Sequence, residues 1–469
     1  MKKGNKLIGT LLFSLAMILP SCGGTQDDFK GTYIDFGFLK AGIGTEVYEK
    51  IAEAYHTEHP DYKVKLHASI DINNIAKNSF ESGKNIYDIY SLRQNNVITQ
   101  YYIKGYLLDL KDVVYNAEIA DGKTLLELCD ESVIEYSKYS TERDGVVEDH
   151  FVSVPEFVNV NGYVYNKKLF AQHGWKVPNT TEEMKALCLQ IAAAGISPIV
   201  FCSPNSADGY VYYLLNGINT QYEGIQNMKD AYKFESAEIF NPSNRTGKLH
   251  ALQTFKDLYK ESNGLVYPNS INIDAQEAQK ALLLGRAAMM VNGSWFETEM
   301  RKFIDPSKHE LAMFKVPEYS EDGEILHAPG YTNDGKGIID SEYTAEYVIP
   351  TLAPHKEAAI DFLKFMQRPD ICELYTKYSN NIRPFKYNKN PESSVYSNMS
   401  SFGKTILQLA NENTLFVASS KHPKYILGEI SYWPSGDSDR YHTNRLLRQD
   451  KEPIDCLEVE YNNAKKVLG

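Results

Sequence analysis

The sequence predicts an α/β protein made of two α/β units in series, and three observations predict it. Thr32–Phe38, Thr45–His59 and Tyr62–Leu66 read as strand, helix and strand, an order that implies a parallel layout with a right-handed crossover. The alternation of apolar and polar residues restarts at Phe151. The 469 residues are enough for two or more domains, each with a core that needs no disulfide or metal.

The elements follow in order. Val47, Ile51 and Tyr55 recur at helical spacing until Pro60 ends the run. Tyr62, Val64 and Leu66 alternate with Lys63 and Lys65, the pattern of a half-exposed strand. Tyr87–Leu92 is the next short apolar run, and Gly105–Leu110 closes a further helix and turns the chain back. In the second unit Val152 and Val154 lead to Tyr163, Val164 and Tyr165, then to an amphipathic helix over Thr180–Ala194. Ile196–Phe201 reads as a buried strand, and Leu249–Tyr259 as a helix. Ala275–Leu284 is a helix that passes through Gly285-Arg286 into the strand Ala287–Val291. In the helix His355–Met366, Ala359, Phe362, Leu363 and Met366 share one face.

The first 30 residues carry an address. Lys2, Lys3 and Lys6 precede the apolar stretch Leu7–Leu19, which is too short to be relied on as a membrane span. Residues 1–21 read as a signal peptide. Leu19-Pro20-Ser21-Cys22 resembles a bacterial lipobox, with Pro20 where a smaller residue is commoner, so Cys22 is the expected lipidation site. The other reading is an ordinary secretory signal that ends near a cysteine. Residues 22–30 form a polar tether. The mature chain is expected outside the cytoplasm, lipid-anchored to the cell membrane. Losing residues 1–21 removes three lysines and no acid, which lowers the net charge from −12 to −15. Such a balance argues against a nucleic-acid partner.

Little in the sequence suggests chemistry. Cys129, Cys188, Cys202, Cys372 and Cys456 are odd in number and form no C-x-x-C, so they suggest neither zinc nor full pairing. Gly42-Ile43-Gly44 opens a helix, but Val47 stands where a dinucleotide fingerprint needs glycine, so a tight turn explains the pair. His56 and His59 lack a third metal ligand nearby. No G-x-S-x-G, Walker A or H-E-x-x-H motif occurs. No cofactor, no metal and no catalytic residue is expected.

Three segments carry a resemblance. Val154-Pro155-Glu156 with Gly162–Phe170, continuing through Gly174–Pro178 and Thr181–Met184, is the first. Gly285–Trp295 is the second, and His355–Leu363 the third. Together they resemble the ABC-transporter solute-binding proteins, the family that includes maltodextrin-binding protein. The resemblance implies a two-lobed type II periplasmic-binding-protein fold, with a ligand cleft between the lobes and several hinge crossings. It places 31–150 plus 318–373 in the amino-terminal lobe, and 151–317 plus 374–469 in the other. It implies a monomer that captures a carbohydrate, expected to be an oligosaccharide, by closing its cleft, and delivers it to an ABC permease. A glycosidase or a surface lipoprotein adhering to polysaccharide are the alternatives.

Sugars present apolar faces to aromatic rings and a rim of hydroxyls to polar side chains. Trp295, after the strand Ala287–Val291, is the first candidate for stacking, with core packing as the other reading. Glu156 and Asn159 follow the strand entering the second unit. Lys40, Ser91 and Arg93 follow the first and third strands, and such strand ends are where open α/β sheets bind ligands. Asp208, Tyr210, Trp433 and Tyr441 belong to aromatic clusters, and Tyr331 lies in a turn-rich stretch.

Overall fold

The computed structural model describes residues 29–40, 42–93, 95–143, 146–203, 210–260, 263–327, 336–432 and 452–469. Two principal sheets organise the chain. The first has five strands in the order Tyr62–Ser69, Thr32–Leu39, Ile89–Leu92, Glu346–Val348 and Val154–Pro155. Its first three strands run parallel, as the strand-helix-strand order requires. Glu346–Val348 is antiparallel to both of its neighbours because it arrives from the other unit. The second sheet orders Ser197–Val200, Ala287–Gly293, Asn161–Asn166 and Leu311–Phe314; its first pair is parallel and the remaining pairs are antiparallel.

The helices cover these sheets for the reasons their sequences give. Glu46–Glu58 buries Val47, Tyr48, Ile51 and Tyr55, one stripe at a spacing of about four, and carries Glu46 and Glu49 in its first turn, where their charge complements the positive end of the helix dipole. Thr180 caps Thr181–Ala193 by accepting from the Glu183 N–H. Lys356–Phe365 buries Ala359, Phe362 and Leu363. Gly42 and Gly44 make the tight turn after the first strand, both at positive φ (81° and 78°). All five cysteines from Cys129 to Cys456 are buried and free, so no bridge joins them.

Three stretches cross between the sheets side by side. The N–H of Glu156 donates to Ala345 O (2.8 Å), that of Val158 to Ile382 O (2.8 Å) and that of Asn159 to Glu342 O (3.0 Å). Gly337–Ser341 pairs in parallel with Asn413–Val417 and packs on the helix Val211–Glu223. Past residue 373 the chain touches both units. Pro369–Ser379 packs on Glu46–Glu58 and Pro423–Ile426 on Asn95–Ile103, whereas Pro453–Leu468 packs on Gly247–Tyr259.

Candidate functional site

The two units face each other where the turn after the first strand meets the segment after Ala287–Gly293. A Cβ at Gly42 would lie 3.5 Å from the Trp295 Cβ, and one at Gly44 would lie 3.5 Å from the Thr298 Cγ2. Beside this contact lies a cavity of about 410 Å³. Lys40, Gly42 and Gly44 line one side, and Tyr210, Gln279, Thr298 and Glu299 the other. Gln279 donates to Glu299 (2.8 Å).

Trp295 belongs to a group of rings behind this cavity. Its ring centre is 5.9 Å from that of Tyr210 and 5.8 Å from that of Tyr213, and Tyr212 lies 4.1 Å from Tyr213. Such spacings suit tilted aromatic packing. Trp295 keeps 8 % of its surface exposed, and Tyr210 keeps 7 %. The local sequence explains the pose. The indole folds back over Gly293, where any Cβ would lie 1.9 Å from a ring carbon, so only glycine leaves room for it. Asn292 accepts from the Gly293 N–H (2.8 Å), and Ser294 donates to Asn381 (2.6 Å), which fixes both sides of the turn.

The other named residues divide into three groups. Lys40 and Arg93 are exposed at the ends of their strands. Burial raises the pKa of Glu299, Glu342 and Tyr210, and the charge of Arg93 opposes that rise in each. Glu156, Ser91 and Asn159 are fully buried and bound within the protein. The Glu156 carboxylate accepts from Tyr48, Ser91 and Tyr375 (the last at 2.8 Å), while its carbonyl accepts from Arg383. Asn159 donates to Glu342 (3.2 Å) and to Thr344. These three side chains hold the crossings together. Asp208, Tyr331, Trp433, Tyr441 and Cys22, with residues 1–21, lie outside the described residues.

Glu342 is the polar group that the sequence does not announce. Its carboxylate accepts from Tyr213 (2.9 Å), Tyr212 (3.0 Å) and Asn159 (3.2 Å). Burial raises its pKa, and the two phenols, Arg93 and Asn159 oppose that rise. The cavity lining thus combines Lys40 from one unit with Tyr210, Gln279 and Glu299 from the other, and Tyr210 joins it to the rings of Trp295 and Tyr213. That is the equipment for holding a polar solute with an apolar face.

Comparisons with known proteins agree with this architecture. The chain is 25% identical over 334 residues to the multiple sugar-binding protein of Streptococcus mutans, covering 70% of this chain and 69% of that one. Its fold is similar to that of the GacH receptor of Streptomyces glaucescens (16% identity, 93% of this chain and 98% of that one, TM-score 0.63). It is similar also to that of RafE, solved with raffinose (19% identity, 92% and 100%, TM-score 0.59). The family model for the bacterial extracellular solute-binding protein matches residues 41–371, and the chain belongs to that family.

Proposed function

We propose that this solute-binding protein captures a carbohydrate, of oligosaccharide size, in the cleft beside Trp295, and hands it to the permease of an ABC importer. The observation that carries this reading is the inter-unit cavity, with polar residues from both sides and a wall at Tyr210, whose ring packs on Trp295 and Tyr213. The names of its relatives support it: one is a multiple sugar-binding protein, one is solved with raffinose and one is a chitin oligosaccharide binding protein.

In this reading the two sheets are the centres of the two lobes, and the three crossings are the hinge. A sugar stacked on the rings and bonded to Lys40 or Arg93 contacts both lobes only when they are closed. It therefore favours closure by its differential affinity for that state. The diacylated Cys22 holds the protein at the outer face of the membrane, near its permease.

A thermal-shift screen over mono- and oligosaccharides tests the ligand class. A ligand that binds the folded chain at 100 times its Kd stabilises it by about 2.7 kcal/mol, which appears as a rise in Tm. The expected result is a rise with at least one oligosaccharide and none with amino acids, peptides or polyamines. A rise with one of these other solutes and with no carbohydrate would refute the assignment.

A further inference from the structure

We infer that Glu342 is a positioning residue, which hangs the Trp295 ring group from the hinge by holding Tyr212 and Tyr213. The inference rests on the carbohydrate reading only for its effect on affinity; the tie itself is a matter of geometry.

One carboxylate gathers two hydroxyls from the helix Val211–Glu223 and one amide from the crossing that contains Asn159. Its own main chain belongs to a second crossing, since Glu342 O accepts from the Asn159 N–H (3.0 Å). The next residue, Tyr343, bridges to Val158, which also pairs with Ile382 of the third crossing. Glu342 thus ties two of the crossings to the helix that carries Tyr212 and Tyr213, and Val158 joins the third crossing to them. Glu342 is half-buried, and hydrogen bonds to a charged acceptor are the stronger kind, so its three donors are held in place rather than left to choose among rotamers. A phenol held at its hydroxyl has the long axis of its ring fixed, and the neighbouring rings set the rotation about that axis. Tyr213 contacts both Tyr210 and Trp295, and passes that constraint on. Rings anchored in this way move with the hinge and keep their pose as the lobes close.

Glu342→Gln separates the tie from the fold. The amide keeps the volume but accepts at one end only, so one tyrosine loses its acceptor. The readout is acrylamide quenching of Trp295 emission, in a chain whose other two tryptophans are replaced (Trp175→Phe and Trp433→Phe). Glu342→Gln is expected to raise the quenching constant severalfold and to red-shift the emission, with Tm close to that of the parent. Tyr212→Phe with Tyr213→Phe is expected to do the same, and the triple variant to add nothing. Should Glu342→Gln fold poorly, the tyrosine pair carries the test. Unchanged emission and quenching overturns the inference. Affinity for the strongest oligosaccharide of the screen is expected to fall about tenfold in Glu342→Gln. If Trp295→Ala lowers that affinity and Glu342→Gln does not, the positioning role is overturned and the carbohydrate reading survives. If quenching rises but Trp295→Ala binds normally, the tie stands and the carbohydrate site lies elsewhere.

Discussion

Trp295→Ala is expected to weaken carbohydrate binding by about 2–4 kcal/mol, the range for truncating a buried aromatic anchor. The size follows from what the ring does. The indole is pinned over Gly293, packed on Tyr210 and Tyr213 and opposed across the inter-unit contact by Gly42. A sugar face laid against such a surface exchanges water for carbon without asking the ring to order itself, so the benefit is not offset by lost side-chain entropy. Alanine removes the surface and leaves space that water refills. Calorimetric titration against an oligosaccharide from the screen measures the change. Wild-type affinity in the variant would remove Trp295 from the site.

Lys248→Met is expected to destabilise the fold by about 3–5 kcal/mol, because it strands a buried charge. The Lys248 and Glu460 side chains are each only 3 % exposed and meet at 2.8 Å. Lys248 also donates to the carbonyl of Tyr432 and lies 4.2 Å from that ring's centre. The pair fastens the carboxyl-terminal helix Pro453–Leu468 to Gly247–Tyr259. Removing the lysine alone leaves the carboxylate without a counter-charge. Removing both, as Lys248→Met with Glu460→Leu, exchanges a costly ion pair for packing, and most of the stability is expected to return. Unfolding in urea compares the three chains. A double variant no more stable than Lys248→Met would show that the lost packing, and not the stranded charge, causes the damage.

The sequence was legible wherever an element has one wet face. Glu46–Glu58 and Lys356–Phe365 show a helical stripe because solvent holds the opposite side, and the two-unit layout followed from elements of that kind. Val211–Glu223 was not legible. Eleven of its thirteen residues are buried, among them Asn216, Asn219, Thr220 and Gln221, so it has no polar face to set against an apolar one.

The site divides in the same way. Trp295 stands out as a candidate because it ends the recognisable run Gly285–Trp295, and the structure adds that its turn needs the glycine at 293. Glu342 is not, since its donors lie 129, 130 and 183 residues away and nothing near it in the chain marks it. Glu156 illustrates the reverse. It follows a strand and looks available to ligand, yet Ser91, Tyr48 and Tyr375 reach it from 65, 108 and 219 positions away. Spacing along the chain reports which face an element shows, but not which distant side chain has already claimed a polar group.

Small-angle scattering of the purified chain, titrated with the oligosaccharide that gives the largest thermal shift, tests the capture mechanism most directly. A protein that holds its ligand between two hinged lobes becomes more compact, and its radius of gyration falls to a plateau as the site fills. A radius that stays constant while calorimetry shows the same sugar binding would contradict capture by closure.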